Sequence, residues 1–180
     1  MAPEPAAAVR VRVEAAWQRI DEWLRNFAPA TARRWNAPAT PEEIGVLQRE
    51  LGVELPDDLV VSLGVHNGAR VGGFTLPPAY APLSAVEITR KARELCARGG
   101  DWDGRFVPFA SGGGDGVLYL DQRGAGALGE HSGPGRGGWP RGLPDLLEQT
   151  AELLNSGTGP LAARYRPTVD GDGALGWAVR

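Results

Sequence analysis

The sequence predicts one α+β domain, with helices in the first half of the chain and strands gathered in the second half. Up to about residue 97, apolar residues recur every three or four positions, which is the period of an amphipathic helix. From about residue 105, short runs of β-branched and aromatic residues are bounded by glycine, which is typical of strands. Helices and strands do not alternate, so a parallel α/β sheet is not expected. With 42% apolar residues and a net charge of only −3, the 180-residue chain has enough apolar surface to fold.

The chain opens with a Pro/Ala-rich stretch, and residues 1–8 are expected to form a flexible leader ahead of a single domain over residues 9–180. Apolar residues on one face then predict a long amphipathic helix over residues 9–27, which ends before a proline. The alanines and prolines of residues 28–39 indicate a connector between this helix and the next.

Two shorter helices follow, and each has its own boundary signals. Thr40 and Glu43 have the spacing of a capping box, and Gly52 lies where a helix commonly ends in the left-handed conformation. The third helix is predicted to begin within residues 55–58. The His-Asn-Gly sequence of residues 66–68 is expected to close it, because Asn and Gly tolerate a positive φ.

The second half of the chain is predicted to supply the sheet. A strand is expected over residues 73–76, and a second capping box, Ser84 and Glu87, predicts a helix that extends to about Ala97. The apolar residues assigned to this helix are Val86, Ile88, Ala92 and Leu95. Later elements are predicted as strands over 106–109, 117–121 and 126–131, a helix from Pro144, and a hairpin over residues 168–177 that turns at Asp-Gly.

Glycine is concentrated in one region, since 15 of the 26 glycines fall within residues 99–142. Residues 124–129 read Gly-x-Gly-x-x-Gly, but a glycine and a proline follow within five residues, so the helix that a dinucleotide site requires is not expected. Residues 111–116 lack the Gly-Lys-Ser/Thr end of a P-loop. The glycines are therefore assigned to turns around one strand, and residues 133–142 are expected to form a mobile or partner-specific loop.

No metal, cofactor or catalytic site is predicted. Two histidines and one cysteine cannot supply the four ligands of a structural zinc site, and the Asp-x-Asp-Gly sequences at residues 101–104 and 170–173 are assigned to turns. No Gly-x-Ser-x-Gly elbow surrounds any serine. Cys96 is expected to be buried beside Leu95, and His66 to complement a helix dipole. An enzyme is therefore not expected, although a hydrolase with scattered carboxylates stays open as an alternative.

Sequence features also bear on the compartment and on the class of partner. The N-terminus has neither the basic nor the apolar part of a secretory signal, and the longest apolar run, residues 59–65, is far shorter than the ~20 residues of a membrane span. The single cysteine excludes an internal disulfide and favours a reducing compartment. A pI near 5.5 argues against a nucleic-acid partner. We therefore expect a cytoplasmic protein that binds neither nucleic acid nor a membrane directly.

One segment is more acidic than the chain as a whole. Between Glu42 and Asp58 there are six carboxylates and one cation, Arg49, which gives a local net charge of −5. Two interpretations stay open: a solvated helix face whose acids favour a helix N-terminus, or a docking patch that attracts a basic partner. The carboxylates predicted to bind a partner are Glu42, Glu43, Glu50, Glu54, Asp57 and Asp58.

Several short motifs occur in a defined order between residues 17 and 154: Pro38–Ile44, Leu51–Leu59, His66–Gly68, Leu83–Ile88, Phe106–Ala110 and Gly114–Asp121. In their number and order they resemble the SUKH superfamily, which comprises fungal Smi/Knr-type cell-wall-assembly regulators and many bacterial relatives. The tail, residues 167–177, is similar to that of some bacterial members.

This resemblance implies a single SUKH-like domain in which helices pack against a mostly antiparallel β-sheet. It also implies a protein-binding function without catalytic residues or cofactors. Bacterial members are typically immunity proteins that bind and neutralise a cognate polymorphic toxin, often a nuclease. The alternative that the resemblance leaves open is a regulatory or scaffolding protein that binds endogenous protein partners.

Overall fold

The structure, a computed structural model, describes residues 6–114, 116–124, 126–133 and 138–180. The helices are α1 (Ala6–Phe27), α2 (Pro29–Ala32), α3 (Pro41–Leu51), α4 (Asp57–Val65), α5 (Ala85–Arg98) and α6 (Leu143–Ser156), with a 3₁₀ turn at Pro160–Ala163. The strands are β1 (Ala81–Pro82), β2 (Phe106–Ser111), β3 (Val117–Asp121), β4 (Ala127–His131), β5 (Tyr165–Val169) and β6 (Leu175–Val179). This arrangement confirms the α+β class.

The strands form two antiparallel sheets. The larger sheet has the order β1-β2-β3-β4, and β5 pairs with β6 in a terminal hairpin. Because side chains alternate along a strand, β2 and β3 present different residues on their two faces. Val107 and Leu120 belong to the main core, whereas Phe106 and Tyr119 stack in a smaller cluster under Trp102.

The helices cover the core face, and α1 is their centre. It packs along α6 and against α4, and its buried residues include Trp17. The indole of Trp17 makes edge contacts with Trp35, His66 and Phe74, and its Nε1 donates a hydrogen bond to the Ser62 Oγ at 3.0 Å. This aromatic cluster joins α1 and the end of α4 to two connectors. One precedes α3 and carries Trp35, and the other follows α4 and carries Phe74.

Most of the predicted elements are confirmed, with boundary shifts of a few residues at the start of α1, at the end of β2 and at both ends of the hairpin. The connector of residues 28–39 contains the single-turn helix α2, because Pro29 can occupy the first turn of a helix. Residues 1–5 of the predicted leader lie outside the described residues, whereas residues 6–8 already form the first turn of α1.

The strand predicted over residues 73–76 is wrong. Only Leu76 pairs there, in an isolated bridge with Tyr80 that closes a turn through Pro77 and Pro78. Pro77 and Pro78 have no N–H to donate, and the chain turns there instead of extending the bridge into a ladder. The edge of the sheet is formed instead by β1, further along the chain.

The glycine-rich region connects the strands of the larger sheet. In the Gly-x-Gly-x-x-Gly sequence, Gly126 has φ +77° and β4 begins at the next residue, so a strand follows where a dinucleotide site would need a helix. A Cβ at Gly129 would lie 2.4 Å from the Tyr119 ring. Because glycine has no side chain, the Tyr119 ring can lie across β4 at this position. Asp115 and residues 134–137 of the predicted mobile loop lie outside the described residues.

Candidate protein-binding site

Helix α3 carries the first part of the acidic segment, and its ends are fixed by the signals predicted from the sequence. The Thr40 Oγ1 accepts a hydrogen bond from the Glu43 N–H, and the Glu43 carboxylate accepts one from the Thr40 N–H at 2.7 Å. Gly52 ends the helix with φ +68°. Leu47 is buried under this helix, which places Glu42 and Glu43 in its exposed first turn.

Helix α5 lies beside α3 and runs in the same direction. Its Ser84–Glu87 capping box is formed, and the Asn67 Oδ1 also accepts a hydrogen bond from the Ala85 N–H at 2.8 Å. At the other end of the pair, Arg93 of α5 forms an ion pair with Glu50 of α3. The Asn67 contact fixes the start of α5, and the ion pair joins α5 to the last turn of α3.

A groove opens between these first turns, and we call it the α3/α5 groove. It has a volume of ~190 Å³, and two carboxylates stand among apolar and small side chains. Its lining residues are Glu42, Glu43, Val46, Leu47, Ala85, Val86 and Thr89. No lysine or arginine is among them, so the groove combines an apolar lining with negative charge.

The six predicted carboxylates fall into two groups. Glu42 and Glu43 line the α3/α5 groove, whereas Glu50, Glu54 and the first two residues of α4 lie at the far end of α3. Along α3, the seven residues from Glu43 to Glu50 correspond to a rise of roughly 10 Å, which separates the two groups. Glu54 and Asp57 are exposed, and Glu50 is paired with Arg93.

Asp58 differs from the other carboxylates because it is half-buried at the start of α4. Burial raises the pKa of Asp58 to about 6 from its ordinary value of 3.8. The hydrogen bond that its Oδ1 accepts from the Leu59 N–H at 2.7 Å opposes this shift, and the neighbouring charge of Asp57 adds to it. Asp58 is not among the residues that line the α3/α5 groove.

The raised pKa of Asp58 predicts a pH-dependent contribution to stability. The folded protein binds this proton more tightly than the unfolded chain, so the contribution is full below about pH 4 and is lost as the pH rises through about 6. Asparagine at position 58 does not ionise, so Asp58→Asn avoids the loss of stability that ionisation of Asp58 causes. Relative to the parent chain, Asp58→Asn should gain about 1–3 kcal/mol in free energy of unfolding between roughly pH 4 and pH 8.

Urea unfolding of both proteins at several pH values measures this difference. The exposed residue Glu54, whose charge is not among the causes of the Asp58 shift, provides the matched variant Glu54→Gln. If the difference in free energy of unfolding between Asp58→Asn and the parent chain is constant across this pH range, burial does not raise the pKa of Asp58.

The settings of His66 and Cys96 include features that the sequence did not predict. The His66 Nε2 lies 2.9 Å from the Asp21 Oδ2, and its ring stacks on Trp35, so His66 links α4 to α1 as well as following the end of α4. Cys96 is exposed, and the prediction that it is buried is wrong. It is one residue, about 100°, away from Leu95, which takes the buried position of α5.

The sequence did not lead us to expect that Val46 and Val86, the two valines of the α3/α5 groove, are surface residues. Val86 was assigned to the apolar face of its helix, but its side chain is 76% exposed, and Val46 is 43% exposed. A signal was present in the spacing. Each valine is offset from the buried stripe of its helix, Val46 by about 100° from Leu47 and Val86 by about 100° from Ala85.

The described residues contain no group of three or more His, Cys, Asp or Glu side chains placed to hold a metal ion. Among the helices of those residues, none has the length and apolar character needed to cross a membrane.

Comparison with known proteins identifies one family. A model of the SMI1 / KNR4 family (SUKH-1) matches residues 38–134, which is more than half of the chain. The matched part runs from α3 to β4 and includes both helices of the α3/α5 groove. A search of curated proteins finds no match.

Proposed function

The chain belongs to the SMI1/KNR4 family (SUKH-1), and on this basis we propose that it is a non-enzymatic protein-binding module that serves as a bacterial immunity protein. It acts in the cytoplasm, where it binds a cognate polymorphic toxin and neutralises it. A nuclease domain is the expected kind of toxin. The protein requires no cofactor and contacts neither nucleic acid nor a membrane directly.

The observation that supports this proposal most directly is the charged surface within the family-matched residues. A nuclease must present a basic surface to the phosphates of its substrate. The exposed carboxylates Glu42, Glu54 and Asp57 have the opposite sign. An acidic surface accelerates encounter with a basic partner and competes for its substrate-binding face.

Co-expression provides the test of this function. The neighbouring reading frames are searched for a secreted multidomain protein, and its C-terminal domain is expressed with and without this chain. We expect the toxin domain to arrest growth alone, and the present chain to restore growth and to co-purify with it. A domain that stays toxic and does not co-purify would remove the immunity function and favour the regulatory or scaffolding alternative, whose partners are endogenous proteins.

Charge reversal tests the role of the acidic segment in that complex. The double variant Glu54→Lys and Asp57→Lys changes two exposed side chains, so we expect the fold to be retained. Association with a basic toxin domain should slow by about tenfold at low salt and lose part of its salt dependence, since steering acts on the association rate. Stopped-flow or surface-plasmon measurements at several salt concentrations give these rates.

The matched control for the reversal is Glu14→Lys with Glu22→Lys, which changes two exposed carboxylates of α1 by the same total charge. If both double variants slow association equally, the net charge of the protein governs the rate and the acidic segment has no special role. An unchanged rate in Glu54→Lys/Asp57→Lys would exclude this end of the segment from docking.

A further inference from the structure

We propose that the α3/α5 groove is an anchor site for a protein segment that presents one aliphatic side chain flanked by arginine or lysine. The proposal rests on the proposed function, because it names the chemistry of the partner that such a binding module takes. It goes further by assigning the contact to the first turns of α3 and α5, and to Val46 and Val86 in particular.

The size of the groove selects a side chain over a small-molecule ligand. Its volume of ~190 Å³ is below the roughly 300–1,000 Å³ of sites that enclose drug-sized ligands. Interfaces are commonly anchored by a few side chains that fill small pockets near the centre of the contact. A single leucine, isoleucine or methionine side chain is therefore the occupant that matches this volume.

The lining of the groove is apolar where such a side chain would rest. Leu47 and Ala85 are buried at its base, and Val46 and Val86 expose their methyl groups at its sides. Covering these methyl groups removes apolar surface from water, which stabilises a complex by about 25 cal/mol per Å². The isolated protein leaves this surface in contact with solvent.

The charge around the groove selects a basic neighbour for that side chain. Glu42 and Glu43 line it, and three of the four cations of α5 are directed to other carboxylates. Arg90 and Lys91 pair with Glu94, and Arg93 pairs with Glu50. The Glu43 carboxylate already caps α3, so Glu42 is the group that would meet a cation of the partner.

The same charge argues against a contact in which the grooves of two copies of this chain face each other. Such a contact arises when the two-fold axis of a dimer passes through the groove. Glu42 and Glu43 of one molecule would then approach the same carboxylates of the other, and like charges placed opposite each other are unfavourable. A basic segment of a different protein avoids this repulsion.

Three synthetic peptides test the groove by NMR titration of the ¹⁵N-labelled full chain. The first has one leucine with two arginines on each side; in the second, alanine replaces leucine; in the third, glutamate replaces arginine. We expect only the first peptide to shift the amide signals of residues 42–47 and 85–89, with a dissociation constant in roughly the millimolar range, as a single anchor allows. Equal shifts with the alanine or glutamate peptide, or shifts elsewhere on the protein, would overturn the proposal.

Variants of the protein test the same contact. Val86→Arg should weaken binding of the leucine peptide by about tenfold or more, because it fills the groove and adds a repelling cation. Glu42→Gln should weaken it by up to about fivefold, the effect of one exposed ion pair. Val11→Arg on α1 changes a valine that is 64% exposed and distant in sequence, and it should bind like the parent chain.

Thermal unfolding of each variant tests whether the fold is retained, which we expect because Val86 and Val11 are both exposed. If Val11→Arg weakens binding as much as Val86→Arg, the added charge explains the loss and the groove is not the site. These measurements need no toxin, so failure of the co-expression test leaves them informative. Conversely, if Val86→Arg neutralises the toxin as well as the parent chain does, the proposed function stands and the groove is not part of the toxin-binding surface.

Discussion

Replacing Trp17 with alanine is expected to lower the free energy of unfolding by about 3–5 kcal/mol, the cost typical of removing a large aromatic side chain from a core. Trp17 is only 3% exposed and contacts three other rings, those of Trp35, His66 and Phe74. Its loss also leaves the buried Ser62 hydroxyl without the indole N–H as a donor. Because natural domains are stable by about 5–15 kcal/mol, this variant should lose a large part of its stability.

Urea unfolding followed by far-UV circular dichroism measures this loss. Trp23→Ala is the matched control on the same helix, since Trp23 is half-buried and contacts the exposed ring of Phe27. We expect the control to lose about 1–2 kcal/mol. A loss at Trp17 no larger than that at Trp23 would show that the aromatic cluster does not organise the core.

Replacing Gly68 with alanine is expected to lower the free energy of unfolding by about 2–5 kcal/mol. Gly68 has φ +72°, a conformation that costs an L-residue roughly 1–2 kcal/mol. An added Cβ would also lie 2.4 Å from the Ser84 backbone nitrogen and 2.7 Å from the Leu83 carbonyl carbon. These are backbone atoms, so relief requires movement of the segment that begins α5, and such overpacking typically costs a further 1–3 kcal/mol.

A control at Gly52 separates the conformational cost of alanine at Gly68 from the cost of its steric clash. It has a similar φ of +68°, but a Cβ there would meet no atom within 4 Å. Gly52→Ala should therefore lose only about 1–2 kcal/mol, the conformational part alone. If the two alanine variants unfold at the same urea concentration, the close approach of the backbone at Gly68 has no energetic consequence.

The contacts of residues 66–68 revise the interpretation of the His-Asn-Gly motif. The sequence predicted that the motif closes α4, and α4 does end at Val65. His66 is extended, however, and the motif joins parts of the fold that are distant in sequence. The Asn67 carbonyl accepts a hydrogen bond from the Asn36 side chain, while the Asn67 side chain binds the first N–H of α5. The motif therefore fixes where α5 begins, and with it the α3/α5 groove.

Much of the fold could be predicted because its signals are local. The capping boxes at Thr40 and Ser84 begin α3 and α5 as predicted, since a cap is formed by residues three positions apart. The strands that form β2, β3 and β4, and the terminal hairpin, followed from runs of β-forming residues bounded by glycine. The strand expected over residues 73–76 failed because a strand depends on a partner segment, and only Leu76 forms a bridge there, to nearby Tyr80.

The sequence alone determined the order of the helices and most of the strands, the helix caps, the acidic character of residues 42–58 and membership of the family, because each depends on neighbouring residues or on their linear order. Tertiary structure alone decided which side chains meet. It separated the carboxylates into two groups, paired Glu50 with Arg93, and left Cys96 in solvent. It also brought Val46 and Val86 together across two helices. These outcomes depend on how helices pack, and contacts between residues about 40 positions apart leave no periodic signal in a single sequence.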